Sequence, residues 1–191
     1  PLLAMDQPWE QGSLIAQVGV LPDPEADRLR MYYLIFFRDT PKKNVLCVAY
    51  SDDGYHWEKP NLGEGHNIVM RASGNAMDWG VFMPKSVLYN PGEENPEWRW
   101  KMLFWERLNP DLQPGMCVAG SADGYTWKPL VDRQIITGLN DAGSMVEVNP
   151  KAEQGPRETP VLIYQQTWKH NPNLPTDRDN LTEMHRVLSL W

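Results

Sequence analysis

A seven-residue segment occurs twice in this chain, and that repetition limits what it can fold into. Ser51-Asp52-Asp53-Gly54-Tyr55-His56-Trp57 returns 70 positions later as Ser121-Ala122-Asp123-Gly124-Tyr125-Thr126-Trp127. The flanks repeat as well, Cys47-Val48-Ala49-Tyr50 matching Cys117-Val118-Ala119-Gly120. Upstream, Val20-Leu21-Pro22-Asp23-Pro24 matches Val87-Leu88-Tyr89-Asn90-Pro91 and, more loosely, Val146-Glu147-Val148-Asn149-Pro150. Each is followed by a polar stretch and then by an apolar, aromatic run: Arg30-Met31-Tyr32-Tyr33, Lys101-Met102-Leu103-Phe104 and Val161-Leu162-Ile163-Tyr164. A third run closes each unit, the last being Arg186-Val187-Leu188-Ser189-Leu190-Trp191. Self-similarity at a long, fixed period marks an architecture made of stacked copies.

The residue types say what each copy is. Val, Ile, Tyr, Phe and Trp fill the runs, whereas Asn-Pro, Asp-Pro and Asp-Gly separate them. The first set suits strands and the second suits turns. Asp53-Gly54 and Asp123-Gly124 read as hairpin turns, because glycine accepts the positive φ that a tight turn requires. Trp57 and Trp127, three residues further on, are placed to fold back over those hairpins. This gives Asp53, Asp123, Trp57 and Trp127 structural roles. No stretch shows helical periodicity beyond two turns. Units of this length match propeller blades better than the shorter coils of a solenoid. The expected fold is therefore all-β, with about two and a half to three propeller blades. They are expected at residues 1–66, 67–138 and 139–191, the last incomplete. A β-sandwich would leave two signatures in register with their flanks unexplained.

Charge and composition exclude several functions. The net charge of −7 argues against nucleic acid, whose phosphates demand a basic surface. No apolar run approaches the ~20 residues that span a bilayer, so no membrane partner is expected. Pro1–Asp6 has neither the basic nor the apolar region of a signal peptide. Two Cys cannot staple a chain of this size, and Cys47 and Cys117 occupy matching strand positions that suit burial. His56, His66, His170 and His185 show no metal-ligand spacing. Phosphate-binding glycine loops, dinucleotide fingerprints and Gly-x-Ser-x-Gly are missing too. No metal or other cofactor is expected.

Val-x-x-Asp/Asn-Pro, then an Arg/Lys-Met-aromatic strand, then Ala-x-Ser-x-Asp-Gly-x-x-Trp resembles the five-bladed propeller glycosidases. That superfamily includes the arabinanase, xylosidase and invertase types, and the chain is most similar to their glycosyl hydrolase family 32 N-terminal-like relatives. Sialidases carry a related box with one more residue between Asp and Gly, and here Gly54 and Gly124 follow Asp53 and Asp123 directly. The resemblance implies a carbohydrate partner, a glycoside hydrolase activity and an extracellular or periplasmic location. It also implies further blades, in a longer protein or a second chain, to close the ring. The alternative is a non-catalytic propeller that binds glycan or protein, since one fold hosts both uses.

Glycosidic hydrolysis usually needs two carboxyl groups flanking the bond. One acid precedes each unit's first strand: Asp6, Asp78 and Asp141. The resemblance implies Asp6 as base or nucleophile, Asp78 as the carboxylate that tunes the acid, and Asp141 as general acid. Glu147 competes for the last role, because it replaces the apolar Leu21 and Leu88 of the other units. Each also has a plain structural reading, as an Asp bonded to its own turn. Trp79, beside Asp78, is a candidate platform for a sugar ring. Arg38-Asp39 resembles the invertase-type Arg-Asp-Pro motif with Thr40 in place of proline, which makes Arg38 a candidate substrate-binding residue.

Overall fold

The computed structural model describes residues 2–75, 81–137, 140–147, 161–170 and 184–190. These form three antiparallel sheets. The first runs in the order β1 (Leu14–Pro22), β2 (Leu29–Phe36), β3 (Val45–Ser51), β4 (Ile68–Arg71). In the second, β5 (Met83–Tyr89), β6 (Trp100–Glu106) and β7 (Gly115–Ser121) lead to two short strands, β8 (Lys128–Pro129) and β9 (Ile136–Thr137), which both pair with β7. The third holds β10 (Asn140–Glu147), β11 (Val161–His170) and β12 (Met184–Leu190). Among the described residues, helix is limited to single 3-10 turns at 8–10, 41–43 and 96–98. These are β-propeller blades, as the repeat implies. The first sheet continues through β4 to Arg71 before the chain crosses to the second.

Side chains alternate across a strand, so a sheet covered on both sides needs apolar residues at consecutive positions. β6 and β3 meet that demand and are buried at every residue. From β6, Met102 and Phe104 point toward the first sheet and pack with Leu34, Leu46 and Val48. Leu103 and Trp105 point the other way and pack with Met145 and Ile163 of the third sheet. Burying each such side chain contributes about 1.5–3 kcal/mol, and the second sheet collects this on both faces.

The three first hairpins share one register. Val20 faces Met31, Val87 faces Met102 and Val146 faces Leu162. Relative to the second copy, whose Val87, Met102 and Phe104 pack toward the preceding sheet, the third presents its faces one residue out of step. Met145 and Ile163 are buried there, whereas Val146 is 43% and Tyr164 47% exposed.

The repeated turns are built alike. Gly54 and Gly124 have φ of +78° and +76°. Ser51 and Ser121 Oγ accept from the glycine N–H at 2.8 and 2.9 Å. Asp53 and Asp123 Oδ1 each accept two backbone N–H groups. Trp57 and Trp127 Nε1 donate back to the glycine carbonyls at 3.2 and 3.1 Å. The second turn also clasps the first sheet: Tyr32 Oη donates to Gly124 O at 3.0 Å and Arg30 Nη1 to Asp123 O at 3.1 Å. Arg30 is fully buried, and Asp23 Oδ1 balances its charge at 2.7 Å. Cys47 and Cys117 lie in the cores, where burial pushes their thiols up to about 12.

Candidate functional site

The innermost strands lie side by side, with β5 between β1 and β10. Gly19 of β1 lies against Val87 of β5, and Ser86 Oγ of β5 accepts from Met145 N of β10 at 3.2 Å. Those contacts involve residues at similar distances along each strand, so the three strands start at one shared end of the molecule. The same end carries the β2–β3 loop, the end of β4 at Arg71, the start of β5 at Met83 and the loop after Glu106.

Asp141 is the second residue of β10 and therefore stands at this end. Glu147 closes the same strand, about 20 Å away at ~3.3 Å per residue. Its pairing opposite Val161 reproduces Leu21 opposite Arg30 and Leu88 opposite Lys101. The structure thus separates Asp141 from Glu147. Asp78 and Trp79 lie outside the described residues. Their neighbours on both sides are fixed, since Asn75 Nδ2 donates to Leu108 O at 2.7 Å and Asn44 Nδ2 donates to Phe82 O at 2.9 Å. Arg38 is exposed in the β2–β3 loop, and its backbone N–H donates to Ser13 Oγ at 3.1 Å beside the start of β1.

Asp6 sits elsewhere. Its Oδ1 accepts from Lys59 Nζ at 2.6 Å, and that hydrogen bond lowers its pKa. Lys59 also reaches Glu10 Oε2 at 2.6 Å. Glu10 is fully buried and accepts from Tyr33 Oη at 2.7 Å, and Tyr33 in turn accepts from Asn67 Nδ2 at 2.6 Å. Lys59 and Asn67 belong to the β3–β4 connection, so Asp6 lies over the outer half of the first sheet.

One carboxyl group at the shared end escapes the sequence reasoning. Glu106 ends β6, is 1% exposed, and accepts from Ser73 N at 2.7 Å through Oε1. Among the described residues its Oε2 has no hydrogen-bond partner. Burial without a cation pushes the group up to about 7, as expected when a carboxylate is desolvated. Ser73 leads into the crossover that carries Asp78, and Ser73 Oγ donates to Arg107 O at 3.2 Å. A sequence signal for Glu106 exists: an acid ends the apolar run Met102-Leu103-Phe104-Trp105, where the first unit has Ile35.

No protein-family model and no curated protein sequence matches the chain. Solved structures match its fold. An endo-arabinase from Bacteroides thetaiotaomicron superposes with a TM-score of 0.50 at 18% identity, covering 81% of this chain and 46% of that one. A fructofuranosidase from Schwanniomyces occidentalis, solved with fructose, gives 0.53 at 15% identity, covering 90% and 31%. A protein described as a glycoside hydrolase gives 0.51 at 11% identity, covering 92% and 53%. The chain spans about half the length of the first of these or less, and shares with them the β-propeller fold.

Proposed function

We propose that the chain is the part of a glycoside hydrolase that supplies carboxyl groups from the shared end of its inner strands. Asp141 and Asp78 are assigned the bond-breaking work. Glu106, buried at the same end and bonded to Ser73 N, is assigned a positioning role there. Asp6, held by Lys59, serves as a tether of the N-terminal segment. The observation that carries the reading is the alignment of β1, β5 and β10. It delivers the start of each blade to one end of the molecule, where funnel-lining acids must lie. The glycoside hydrolases among the fold neighbours support it.

The chemistry follows from two carboxyl groups in unlike environments. One must be protonated to donate to the leaving oxygen, and the other ionised to act as base or nucleophile. A buried, unpaired acid nearby favours the protonated form of its neighbour through like-charge repulsion whenever it ionises. The test is release of reducing sugar from a panel of arabino- and fructo-oligosaccharides by the chain and by its Asp78→Asn and Asp141→Asn variants. Both variants are expected to lose at least ~100-fold in rate, the scale of general acid–base catalysis, with unchanged circular dichroism. Full activity in both would remove the assignment.

A further inference from the structure

A cleft of about 570 Å³ opens at the shared end of the first blade, between the β2–β3 loop, the end of β4 and the N-terminal 3-10 turn. Lys42, Lys43 and Arg71 line it, together with Trp9, Phe37 and Asn44. All three cations are exposed, and none forms an ion pair among the described residues. Arg71 has only a long contact, 3.5 Å, to His66 Nε2. Asp39 belongs to the same loop but does not line the cleft, and Glu10 behind it is engaged by Lys59. A protein of net charge −7 has here concentrated three unbalanced positive charges in one concave place.

The apolar wall is held rigidly. Trp9 Nε1 donates to Asn67 Oδ1 at 3.0 Å, and Asn67 is fully buried, donating to both Tyr33 Oη and Val48 O. The indole is thus fixed to the blade core before any ligand arrives, which is what a pre-formed site requires. Asn44 is equally fixed, accepting from Phe37 N at 2.8 Å and donating to Phe82 O. A fixed aromatic surface beside unbalanced cations matches a ring with an apolar face and a carboxylate. Arg71 offers the planar fork that pairs with a carboxylate, and the lysines add point charge.

We infer that this cleft is a subsite for an anionic saccharide, a uronic acid residue whose ring lies on Trp9 and whose carboxylate meets Arg71, Lys42 and Lys43. The inference rests on the glycosidase reading and narrows it to acidic glycans. The test is calorimetric titration of the full chain with a galacturonic acid trisaccharide, with the neutral galactose trisaccharide and with sulfate. The acidic sugar is expected to bind at least about tenfold more tightly than the neutral one, roughly the contribution of one charge-assisted hydrogen bond, and to weaken with added salt. Arg71→Gln and the double variant Lys42→Gln/Lys43→Gln should each reduce that advantage severalfold. Equal affinity for the two sugars, or no effect of the variants, overturns the inference and leaves the glycosidase reading standing. Sulfate matching the acidic sugar at equal concentration also overturns it, since the cleft would then be a simple anion site. Binding of neither sugar defeats both.

Discussion

Glu106 is a residue whose cost to the fold shows where function can be sought. Its carboxyl is buried with one oxygen unpartnered, and its pKa rises from 4.5 to about 7. Between those values the unfolded chain has released the proton that the folded chain still holds, so stability falls as pH rises through this window. Below it, both states are protonated and the penalty vanishes. Glu106→Gln keeps the acceptor for Ser73 N and removes the charge. Thermal melts from pH 4 to 8 should show the variant flatter than the parent, and about 1–3 kcal/mol more stable at the alkaline end. A variant with the parent's pH slope would mean that Glu106 is not the buried acid. Sequence alone could flag its oddity, as an acid closing an apolar run, but not its consequence. The consequence depends on Ser73, distant in sequence, being the one hydrogen-bond partner of its carboxyl among the described residues.

At the scale of the element, the two Asp-Gly turns form a matched pair with unequal surroundings. A Cβ on Gly54 would meet only Leu29 Cδ1, at 3.6 Å. On Gly124 it would meet Tyr32 Oη at 2.5 Å, Arg30 Nη1 at 2.6 Å and Trp100 at 3.0 Å. Both positions have positive φ, so Gly54→Ala carries the conformational cost alone, about 1–2 kcal/mol. Gly124→Ala adds the disruption of the clasp between the first and second sheets and should cost at least ~2 kcal/mol more in denaturant unfolding. Equal costs would show that the clasp contributes nothing. The turns, their tryptophans and the strands of the first two units were all legible, because Asp-Gly and the aromatic runs encode local geometry. The clasp was not, since Arg30 reads simply as a strand residue until the second blade's turn is seen beside it. The third unit was legible in its pairing but not in its faces. Val146 and Tyr164 match Val87 and Phe104 in sequence, yet the buried residues are Met145 and Ile163. Pairing register and facing are set by different contacts, the second by the neighbouring sheet.

For the whole molecule, stacked sheets explain both the stability and the placement of chemistry. The second blade is covered on its two faces, and three inner strands bring their starts to one end. Of the acids picked from the sequence by their position before a strand, Asp141 stands there and Asp6 does not, because Lys59 draws it over the outer strands. Spacing before a strand therefore set Asp141 at the shared end, whereas the ion pair with Lys59 set Asp6 over the outer strands. The most direct test is amide chemical-shift mapping of the full chain titrated with arabino- and fructo-oligosaccharides. The perturbed amides are expected to cluster at residues 72–75, 81–82, 104–108 and 140–143, at one end of the blades. Perturbations confined to the opposite end, around Glu147 and the Asp-Gly turns, would contradict it.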